Sequence, residues 1–516
     1  MSKFSQNSDS NRSGIYRLDL WVFLIFILLF GFRLWFLAHF PLTGDEAYHW
    51  EWSRHPALGY YDHPPLTAYV IWVFTKIFGT NLLGVRFGAL LFSSIILLAF
   101  YFLGKRIYGE KVGFYGFLVA SFCPIFTVGA LMMTTDPPYL GFYVLGFCAL
   151  YFALFEDKKL AWYLAGIGFG LSLLAKFLAL FYLPSLWFFL IISKTHRYWL
   201  KRKEPYLMAL ISGICFLPVI YWNKTHDWAT FAFNLANRHQ GIRLSIIYPL
   251  EYLVGEAIVL SPLVFFPLIY ILARFLFKPS RFSEKEKLVL SFAFAPIGIF
   301  GFFSLFERVG WHWPASGFFP AILAFVNYFF CRGRKAKTYL NITIGLMLAG
   351  IIGIYFVALR PDIIPKVQYK FDPKFDTIYL REYYGWTELG DKLNQILADS
   401  PSGTFLISRA YPLSAQLSFY TPNRPFCHLF GKGGVYGRNY FYWTDWEKLK
   451  GKDGIYIALN PIKGGEEELL KKAFKEVRLL EELPIYYRNK WVRSFYLYYC
   501  AGFIYNPYQS GEKEPK

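Results

Sequence analysis

The stretch LWVFLIFILLFGFRLWFLAHF, residues 20–40, decides the fold class of this chain. A helix needs roughly 20 predominantly apolar residues to cross about 30 Å of hydrocarbon, and this run is interrupted only by Arg33. The run is longer than the apolar core of a signal peptide, and no small-residue cleavage site follows it. We therefore interpret it as a retained signal anchor that crosses a membrane.

The composition extends this interpretation to most of the chain. Of the 516 residues, 55% are hydrophobic, 22% are aromatic and only 17% are charged, which is far from the balance of a soluble globular protein. The sequence predicts an α-helical polytopic membrane protein with about eleven transmembrane helices. The candidate spans are 20–44, 82–104, 112–133, 138–155, 160–175, 177–193, 206–222, 257–276, 288–305, 314–331 and 339–359.

The formal net charge of +19 raises the question of a nucleic-acid partner. Many of the Lys and Arg residues lie in short loops between apolar runs, at 105–111, 156–159, 194–203, 274–287 and 332–337. Loops rich in Lys and Arg face the cytoplasm, and no separate basic domain indicates nucleic acid. The sequence therefore predicts a multi-pass protein of the bacterial inner membrane, with a cytoplasmic N-terminus, an extracytoplasmic C-terminal domain and no nucleic-acid partner.

The character of the chain changes after Arg360, which predicts a transmembrane domain over 1–360 and an extracytoplasmic α/β domain over 361–516. GTFLIS (403–408) and DGIYIALN (453–460) are typical of buried strands, whereas WTELGDKLNQILA (386–398) and GEEELLKKAFKEVRLLEEL (465–483) have the periodicity of amphipathic helices. Cys427 and Cys500 share this domain, so a disulfide between them is one possibility in an oxidising compartment.

Residues 41–81, 223–246 and 305–313 form loops on the predicted outer face. Within the first of them, LTAYVIWVFTKIFGT (66–80) is apolar but too short to span comfortably, so it is expected to lie along the membrane interface as an amphipathic helix. The alternative is an additional span. That span would invert the downstream topology and spoil the charge asymmetry.

Two adjacent carboxylates, Asp45 and Glu46, lie in this first outer loop only a few residues beyond the first span. Charged groups at a membrane boundary are often functional, but acidic residues just outside a helix are also commonly no more than solvated. The aromatic residues of the same loop fit either a sugar platform or an interface belt. The pair alone leaves both interpretations open.

A resemblance to a known family favours a functional role. The segment GDEAYHWEWSRHPALGYYDHPPL (44–66), followed by GVRFGALL (84–91), resembles the opening of bacterial members of the dolichyl-phosphate-mannose-protein mannosyltransferase superfamily, which includes lipid A aminoarabinose and galacturonic acid transferases. Further similar motifs follow in the same order: TTDPPYL (134–140), AKFLALFYLPSLW (175–187), NKTHDW (223–228), HWPASGF (312–318), GWTELGDKL (385–393) and ISRAYPLSAQLSFYTPNRP (407–425). The resemblance covers nearly the whole chain and implies a GT-C fold.

The resemblance implies an inverting transfer of sugar from a polyprenyl-phosphate donor to an acceptor on the outer face, such as lipid A, an envelope glycan or protein. The resemblance implies that Asp45 is the catalytic carboxylate, which can take the acceptor proton as general base. Glu46 is expected to orient the acceptor or the loop, with a purely structural role as the alternative. Asp136 matches an acidic family position for which catalytic support, acceptor binding and helix capping all remain open.

Cationic residues are expected at the lipid phosphate, because the leaving group gains negative charge in the transition state. Arg86 matches the phosphate-binding arginine of the family, and its alternative is a snorkelling arginine at the boundary. Lys176 lies within an apolar stretch and is expected either to contact phosphate or to pair with Asp136. Other polar residues of the outer loops are candidates for the headgroup site: Tyr61, Asp62, His63, His226, Asp227, His239, Arg243, Arg308 and His312.

No cofactor is predicted. The mixture of His and carboxylates would suit a divalent ion, but no metal-ligand spacing appears in the sequence. Two other functions remain as alternatives, a transporter or flippase for lipid-linked sugars and an envelope scaffold. A transporter usually shows internal repeats and mid-membrane sites, which are not evident here, and eleven spans are excessive for an anchor. The expected partners are the lipid-linked donor, an envelope acceptor and the bilayer.

Overall fold

The computed structural model describes residues 3–237, 243–360, 378–431 and 437–506. The chain forms two compact units, which we call the helical unit (Met1–His39, His63–Trp228 and His239–Ile354) and the C-terminal unit (Phe40–Asp62, Ala229–Arg238 and Tyr355–Lys516). The C-terminal unit thus includes most of the first predicted outer loop, which is far from it in sequence. The functional division at residue 360 stays a prediction.

Helices account for most of the helical unit and are mixed with strands in the C-terminal unit. In chain order, the helices up to the C-terminal domain are α1 (Lys3–His39), α2 (Gly44–Arg54), α3 (Leu66–Phe78), α4 (Leu82–Tyr108), α5 (Glu110–Phe122), α6 (Pro124–Gly129), α7 (Asp136–Phe155), α8 (Lys159–Leu173), α9 (Tyr182–Ile192), α10 (Glu204–Thr225), α11 (Ala229–Ala232), α12 (Ile247–Leu260), α13 (Pro262–Phe277), α14 (Glu284–Phe303), α15 (Ala315–Phe330) and α16 (Arg334–Leu359). The later helices are α17 (Ile378–Tyr383), α18 (Trp386–Ala398), α19 (Tyr411–Tyr420), α20 (Asn439–Trp443) and α21 (Gly465–Ala473).

The prediction of a multi-pass helical protein is confirmed. Within the described residues, six helices are long and apolar enough to cross a membrane: Leu18–His39, Leu82–Tyr108, Asp136–Phe155, Glu204–Thr225, Glu284–Phe303 and Arg334–Leu359. Helices α12 and α13 meet this criterion only as a pair, with a bend of 117° between them. Shorter apolar helices are Leu66–Phe78, Lys159–Leu173, Phe177–Ile192 and Ala315–Phe330. The number of eleven spans stays a prediction.

Three predicted spans have different boundaries in the structure. The first run does not continue to residue 44, because α1 ends at His39 and Thr43 caps a new helix. The run 112–133 is divided between α5 and α6 at Pro124, which has no N–H to continue a helical ladder. The run 257–276 contains the sharp bend at Ser261, whose φ is +76°.

Glycines allow some helices of the helical unit to approach closely. A Cβ on Gly168 of α8 would lie 2.8 Å from the Cα of Gly146 in α7, and a Cβ on Gly104 of α4 would lie 2.9 Å from the Cα of Gly113 in α5. Small residues at such crossings let two backbones pack against each other in a membrane. Close packing of this kind fixes the helix ends from which the polar side chains project.

The helix predicted at residues 66–80 is present as α3. Its Ala68 and Ile71 are buried, whereas Trp72, Ile77 and Phe78 are exposed. The apolar exposed face suits contact with lipid, and placement along the membrane interface stays a prediction.

The C-terminal unit contains a five-stranded mixed sheet in the order β2-β1-β3-β5-β4. The strands are β1 (Phe405–Ser408), β2 (Cys427–Leu429), β3 (Gly454–Ala458), β4 (Phe474–Tyr487) and β5 (Lys490–Phe503). Strands β2, β1 and β3 run parallel, and β5 pairs antiparallel with both β3 and β4. The small α/β domain is therefore confirmed, as are the predicted strands at β1 and β3 and the predicted helix at α18.

One helix prediction in this domain is wrong. The segment 465–483 is helical only over α21, and Phe474 begins the long strand β4. Its apolar residues recur every three or four positions, which fits a helical period locally, but pairing with β5 along almost the whole strand determines the outcome. Arg488 and Asn489, both with positive φ, form the tight turn between the two strands.

Cys427 and Cys500 are free thiols, so the possible disulfide is absent between these two described residues. Cys427 lies in β2 and Cys500 in β5, with β1 and β3 between them. Three strand spacings amount to roughly 14 Å, about twice the Cα separation that a disulfide tolerates.

Candidate functional sites in the two units

The first turn of α2 carries the predicted catalytic carboxylates, and it is fixed by a capping box. The Thr43 hydroxyl accepts a hydrogen bond from the Glu46 N–H at 3.2 Å, and the Glu46 carboxylate accepts one from the Thr43 N–H at 3.1 Å. Glu46 is fully buried. This geometry gives Glu46 a structural task, because it satisfies a backbone donor at the start of the helix.

Asp45 differs from its neighbours in α2 because its side chain is exposed. The Tyr411 hydroxyl donates a hydrogen bond to Asp45 Oδ1 at 3.0 Å. Tyr411 begins α19, which lies so close to α2 that a Cβ on Gly44 would be 2.6 Å from the Cβ of Pro412. The α/β domain thus holds one carboxylate oxygen of Asp45 and leaves the carboxylate as a whole open to a ligand.

A buried polar cluster in the same unit fixes the end of the first outer loop. The Tyr48 hydroxyl donates to Asp62 Oδ2 at 2.7 Å, and the Asn439 amide donates to the Tyr48 oxygen at 2.7 Å. The Tyr61 N–H donates to Asn439 Oδ1 at 2.8 Å, and Arg438 donates to the Tyr61 hydroxyl at 3.0 Å. Tyr61 and Asp62, both predicted to bind substrate, are therefore brought together here as buried members of one network.

Burial raises the pKa of Asp62 to about 7, against the hydrogen bond from Tyr48 and the charge of Arg438, which act in the opposite direction. A carboxyl group with a pKa near neutrality changes its charge within the physiological range. Deprotonation of Asp62 would therefore change the charge of this cluster near neutral pH.

In the helical unit, the structure brings together Asp136, Lys176 and His312. Lys176 Nζ lies 2.6 Å from Asp136 Oδ1, and His312 Nε2 lies 3.8 Å from Asp136 Oδ2. Asp136 begins α7, and Lys176 lies at the break that follows α8, with its ammonium 5.9 Å from the centre of the Tyr139 ring. The Lys176 side chain is only 9% exposed, so an ionic partner offsets the cost of its burial.

Arg86 lies in the first turns of α4, whose N-cap is formed by the Asn81 side chain accepting from the Gly84 N–H at 2.9 Å. The arginine is only 1% exposed. A snorkelling arginine keeps its charged head in water, so this burial argues against the snorkelling alternative. Its role at a phosphate group stays a prediction.

The guanidinium groups of Arg243 and Arg308 lie 6.0 and 5.6 Å from the centre of the Tyr248 ring. Arg243 Nε donates to the Tyr248 hydroxyl at 3.3 Å. Arg308 forms a forked pair with Glu251 at 2.9 and 3.1 Å. The guanidinium of Arg308 therefore already has a bidentate carboxylate partner, which weakens its case as a phosphate ligand.

Histidines and an aspartate of the other outer loops have more local settings. His226 stacks on Trp222 with ring centres 4.0 Å apart and its Nδ1 lies 2.9 Å from the Trp222 carbonyl oxygen. Asp227 is exposed in a turn with a positive φ of 51°. His63 is half-buried just after Asp62. His239 lies outside the described residues.

The sequence prediction missed three residues that the structure makes prominent. Tyr411 and Asn439 contact the first outer loop from positions more than 360 residues away, and no local pattern reports such a contact. Glu256 of α12 is fully buried, and its carboxylate has no hydrogen-bond partner among the described residues. An ionisable residue within an apolar run was a usable signal for Glu256.

Within the described residues, no group of three or more His, Cys, Asp or Glu side chains is arranged to hold a metal ion. The cluster around Asp136 combines this carboxylate and the His312 imidazole with the Lys176 ammonium group. An ammonium group repels a cation. The arrangement suits an anionic ligand better than a metal.

The bundle of apolar helices, followed in the chain by a small α/β domain, is the fold class of the polytopic membrane proteins of GT-C type. Residues 62–222 match the family described as dolichyl-phosphate-mannose-protein mannosyltransferase. This match includes Arg86, Asp136 and Lys176 but not Asp45.

Relatives and solved structures agree with this class. The chain is 23% identical over 340 residues to the lipid A galacturonosyltransferase RgtD of Rhizobium johnstonii, which covers 64% of this chain and 69% of the relative. The structure of ArnT from Cupriavidus metallidurans in the apo state has a TM-score of 0.60 at 17% identity, covering 93% of this chain and 98% of that one. ArnT bound to undecaprenyl phosphate has a TM-score of 0.60 at 15% identity and covers 93% and 97%.

The matched family, the relative and the ArnT structures together support the GT-C glycosyltransferase superfamily for this chain, with similarity to a bacterial transferase that acts on lipid A. The comparisons favour a transferase over the transporter and scaffold alternatives.

Proposed function

We propose that this protein transfers a sugar, with inversion at the anomeric carbon, from a polyprenyl-phosphate donor to lipid A or another envelope lipid or glycan. The reaction takes place on the outer face of the bacterial inner membrane. The name of RgtD supports lipid A as the acceptor, and the ArnT structure with undecaprenyl phosphate supports the donor. The observation that carries the proposal is the exposed Asp45 carboxylate, held by Tyr411 at the start of α2.

Asp45 acts as the general base. As the acceptor oxygen attacks the anomeric carbon, its proton passes to the Asp45 carboxylate, and the bond between that carbon and the phosphate oxygen breaks. The hydrogen bond from Tyr411 fixes Oδ1, so Oδ2 is directed at the acceptor. The lipid phosphate leaves with one additional negative charge.

Arg86 and Lys176 bind the phosphate and stabilise that charge. The guanidinium of Arg86 supplies a planar fork that matches two phosphate oxygens. Lys176 has three N–H donors, and its contact with Asp136 Oδ1 occupies one of them. The ion pair holds the ammonium in place while its other donors face the ligand. In this proposal Asp136 is therefore a positioning residue and not a second base.

The direct test is a transfer assay with the full-length protein reconstituted in lipid. The protein is supplied with lipid A and with a panel of undecaprenyl-phosphate sugars, including a uronic acid and an aminopentose. Mass spectrometry measures the masses of the products. We expect one donor to give lipid A heavier by one sugar residue, and we expect the same mass difference between envelope lipids of cells with and without the gene. No mass shift in any envelope lipid or glycan would contradict the proposal.

A further inference from the structure

A polar cavity lies at the opposite end of α4 from Arg86. Tyr108, at the end of α4, lines this cavity, whose volume is about 200 Å³. Arg86 lies in the first turns of the same helix, so the 22 residues between them separate the two places by roughly 33 Å at 1.5 Å per residue. The cavity is thus distinct from the proposed phosphate site.

Three arginines line the cavity, namely Arg274 from α13, Arg281 from the turn after α13, and Arg332 from the turn after α15. In the part of the chain that the structure describes, none of the three has a carboxylate within ion-pair distance. Arg332 donates to the Tyr328 carbonyl oxygen at 2.9 Å, and its guanidinium lies 3.2 Å from the centre of the Tyr328 ring. That guanidinium is therefore oriented by a carbonyl and a ring, neither of which neutralises it.

The carboxylate that also lines the cavity, Glu286, has other tasks. Its Oε2 accepts hydrogen bonds from the N–H and hydroxyl of Ser283 in the capping box of α14, and its Oε1 accepts from the Asn327 amide at 3.3 Å. The cavity therefore has an excess of positive charge. It lacks enough carboxylates to bind a cation but suits an anion with several acceptor oxygens.

The surroundings of the cavity indicate the source of that anion. On α13, the helix of Arg274, the apolar side chains of Tyr270, Leu276 and Phe277 are exposed, Phe277 to 80%. In a membrane protein such a surface contacts acyl chains. The ligand that fits both features has a phosphate group for the arginines and an apolar tail for the outer surface of α13.

We propose that this cavity binds the phosphate of an anionic phospholipid from the leaflet in which these helix ends lie. Arginine forks hold phosphate oxygens in two parallel hydrogen bonds. The bound lipid would link the end of α13 to the ends of α14 and α15. The proposal concerns a structural lipid and is independent of the proposed glycosyl transfer.

The test compares two double variants of the full-length protein that lose equal charge. Arg274→Gln/Arg281→Gln removes two cavity arginines, whereas Lys278→Gln/Arg334→Gln removes two exposed cations that do not line the cavity. Each protein is reconstituted in phosphatidylcholine with or without phosphatidylglycerol, and separately in phosphatidylcholine with inorganic phosphate. Native mass spectrometry measures the lipid retained, and thermal denaturation measures the stabilisation.

We expect the cavity variant to retain phosphatidylglycerol at least tenfold more weakly than the wild type, because it loses charge-assisted hydrogen bonds to the phosphate. The control variant should behave as the wild type. If the cavity variant loses only its response to inorganic phosphate, the anion site stands and the lipid source is refuted. Equal retention in all three proteins overturns the proposal. Should the double variant fail to fold, Arg332→Gln serves in its place, because Arg332 is exposed.

Discussion

Replacing Lys176 by Met tests the ion pair of the helical unit. The change removes the ammonium 2.6 Å from Asp136 and leaves a carboxylate whose side chain is only 21% exposed. Breaking a buried pair from one side destabilises a protein by about 3–5 kcal/mol. The partial exposure of Asp136 and the nearby His312 at 3.8 Å place the expected loss at the lower end, about 3 kcal/mol of the free energy of unfolding.

The assay is equilibrium unfolding in mixed micelles, together with the transfer assay. The double variant Lys176→Met/Asp136→Leu removes both charges and should recover stability to within about 1 kcal/mol of wild type, because apolar residues can replace a buried ion pair. If Lys176 contacts the donor phosphate, the double variant is stable but inactive. A loss below about 1 kcal/mol in the single variant would refute the buried pair, and full activity in the stable double variant would refute the phosphate role.

Three further predictions concern single side chains. Tyr411→Phe removes the hydroxyl that donates to Asp45. This change should lower kcat roughly tenfold, since a hydrogen bond to a charged group is worth about 1.5 kcal/mol. An unchanged kcat would show that this contact from the α/β domain does not contribute to catalysis. Burial raises the pKa of Asp62 to about 7 in the folded chain, whereas its ordinary value is 3.8. At a pH between these two values, the folded chain holds a proton that the unfolded chain has already released. The free energy of unfolding should therefore fall by up to roughly 4 kcal/mol as pH rises from about 4 to about 7. The variant Asp62→Asn should remove most of this pH dependence. If the pH dependence persists in the variant, it arises from another group. Arg86→Lys keeps the charge but loses the planar fork, so KM for the donor should rise about tenfold or more, and an unaltered KM would argue against phosphate binding.

The architecture of the helical unit could be predicted from the sequence because a segment that crosses a lipid bilayer must be apolar over its whole length. A long apolar run such as 20–40 has few alternatives to a membrane helix. Hydropathy does not locate the ends of the helices, because capping side chains determine where each helix begins and ends. Thr43 and Glu46 have the spacing of a capping box, and this signal ends the first span five residues earlier than hydropathy indicates.

Long-range pairing limits prediction in the C-terminal unit. Residues 474–483 have a charge pattern that suits a helix, yet they form a strand because β5 lies beside them. The hydrogen bond from Tyr411 to Asp45 and the network around Asn439 likewise depend on how distant segments pack. A sequence motif can identify Asp45 as a candidate, but only the tertiary structure shows that Tyr411 contacts its side chain.

The central claim is that Asp45 is the catalytic base, and the rate of sugar transfer by Asp45→Asn tests it most directly. The asparagine keeps the shape of the side chain and an oxygen for Tyr411, so the fold and the binding of undecaprenyl phosphate should match wild type. General-base catalysis contributes about 10²–10⁴-fold, and we expect kcat to fall by at least about 10²-fold. A folded Asp45→Asn protein that transfers sugar at close to the wild-type rate would contradict the account.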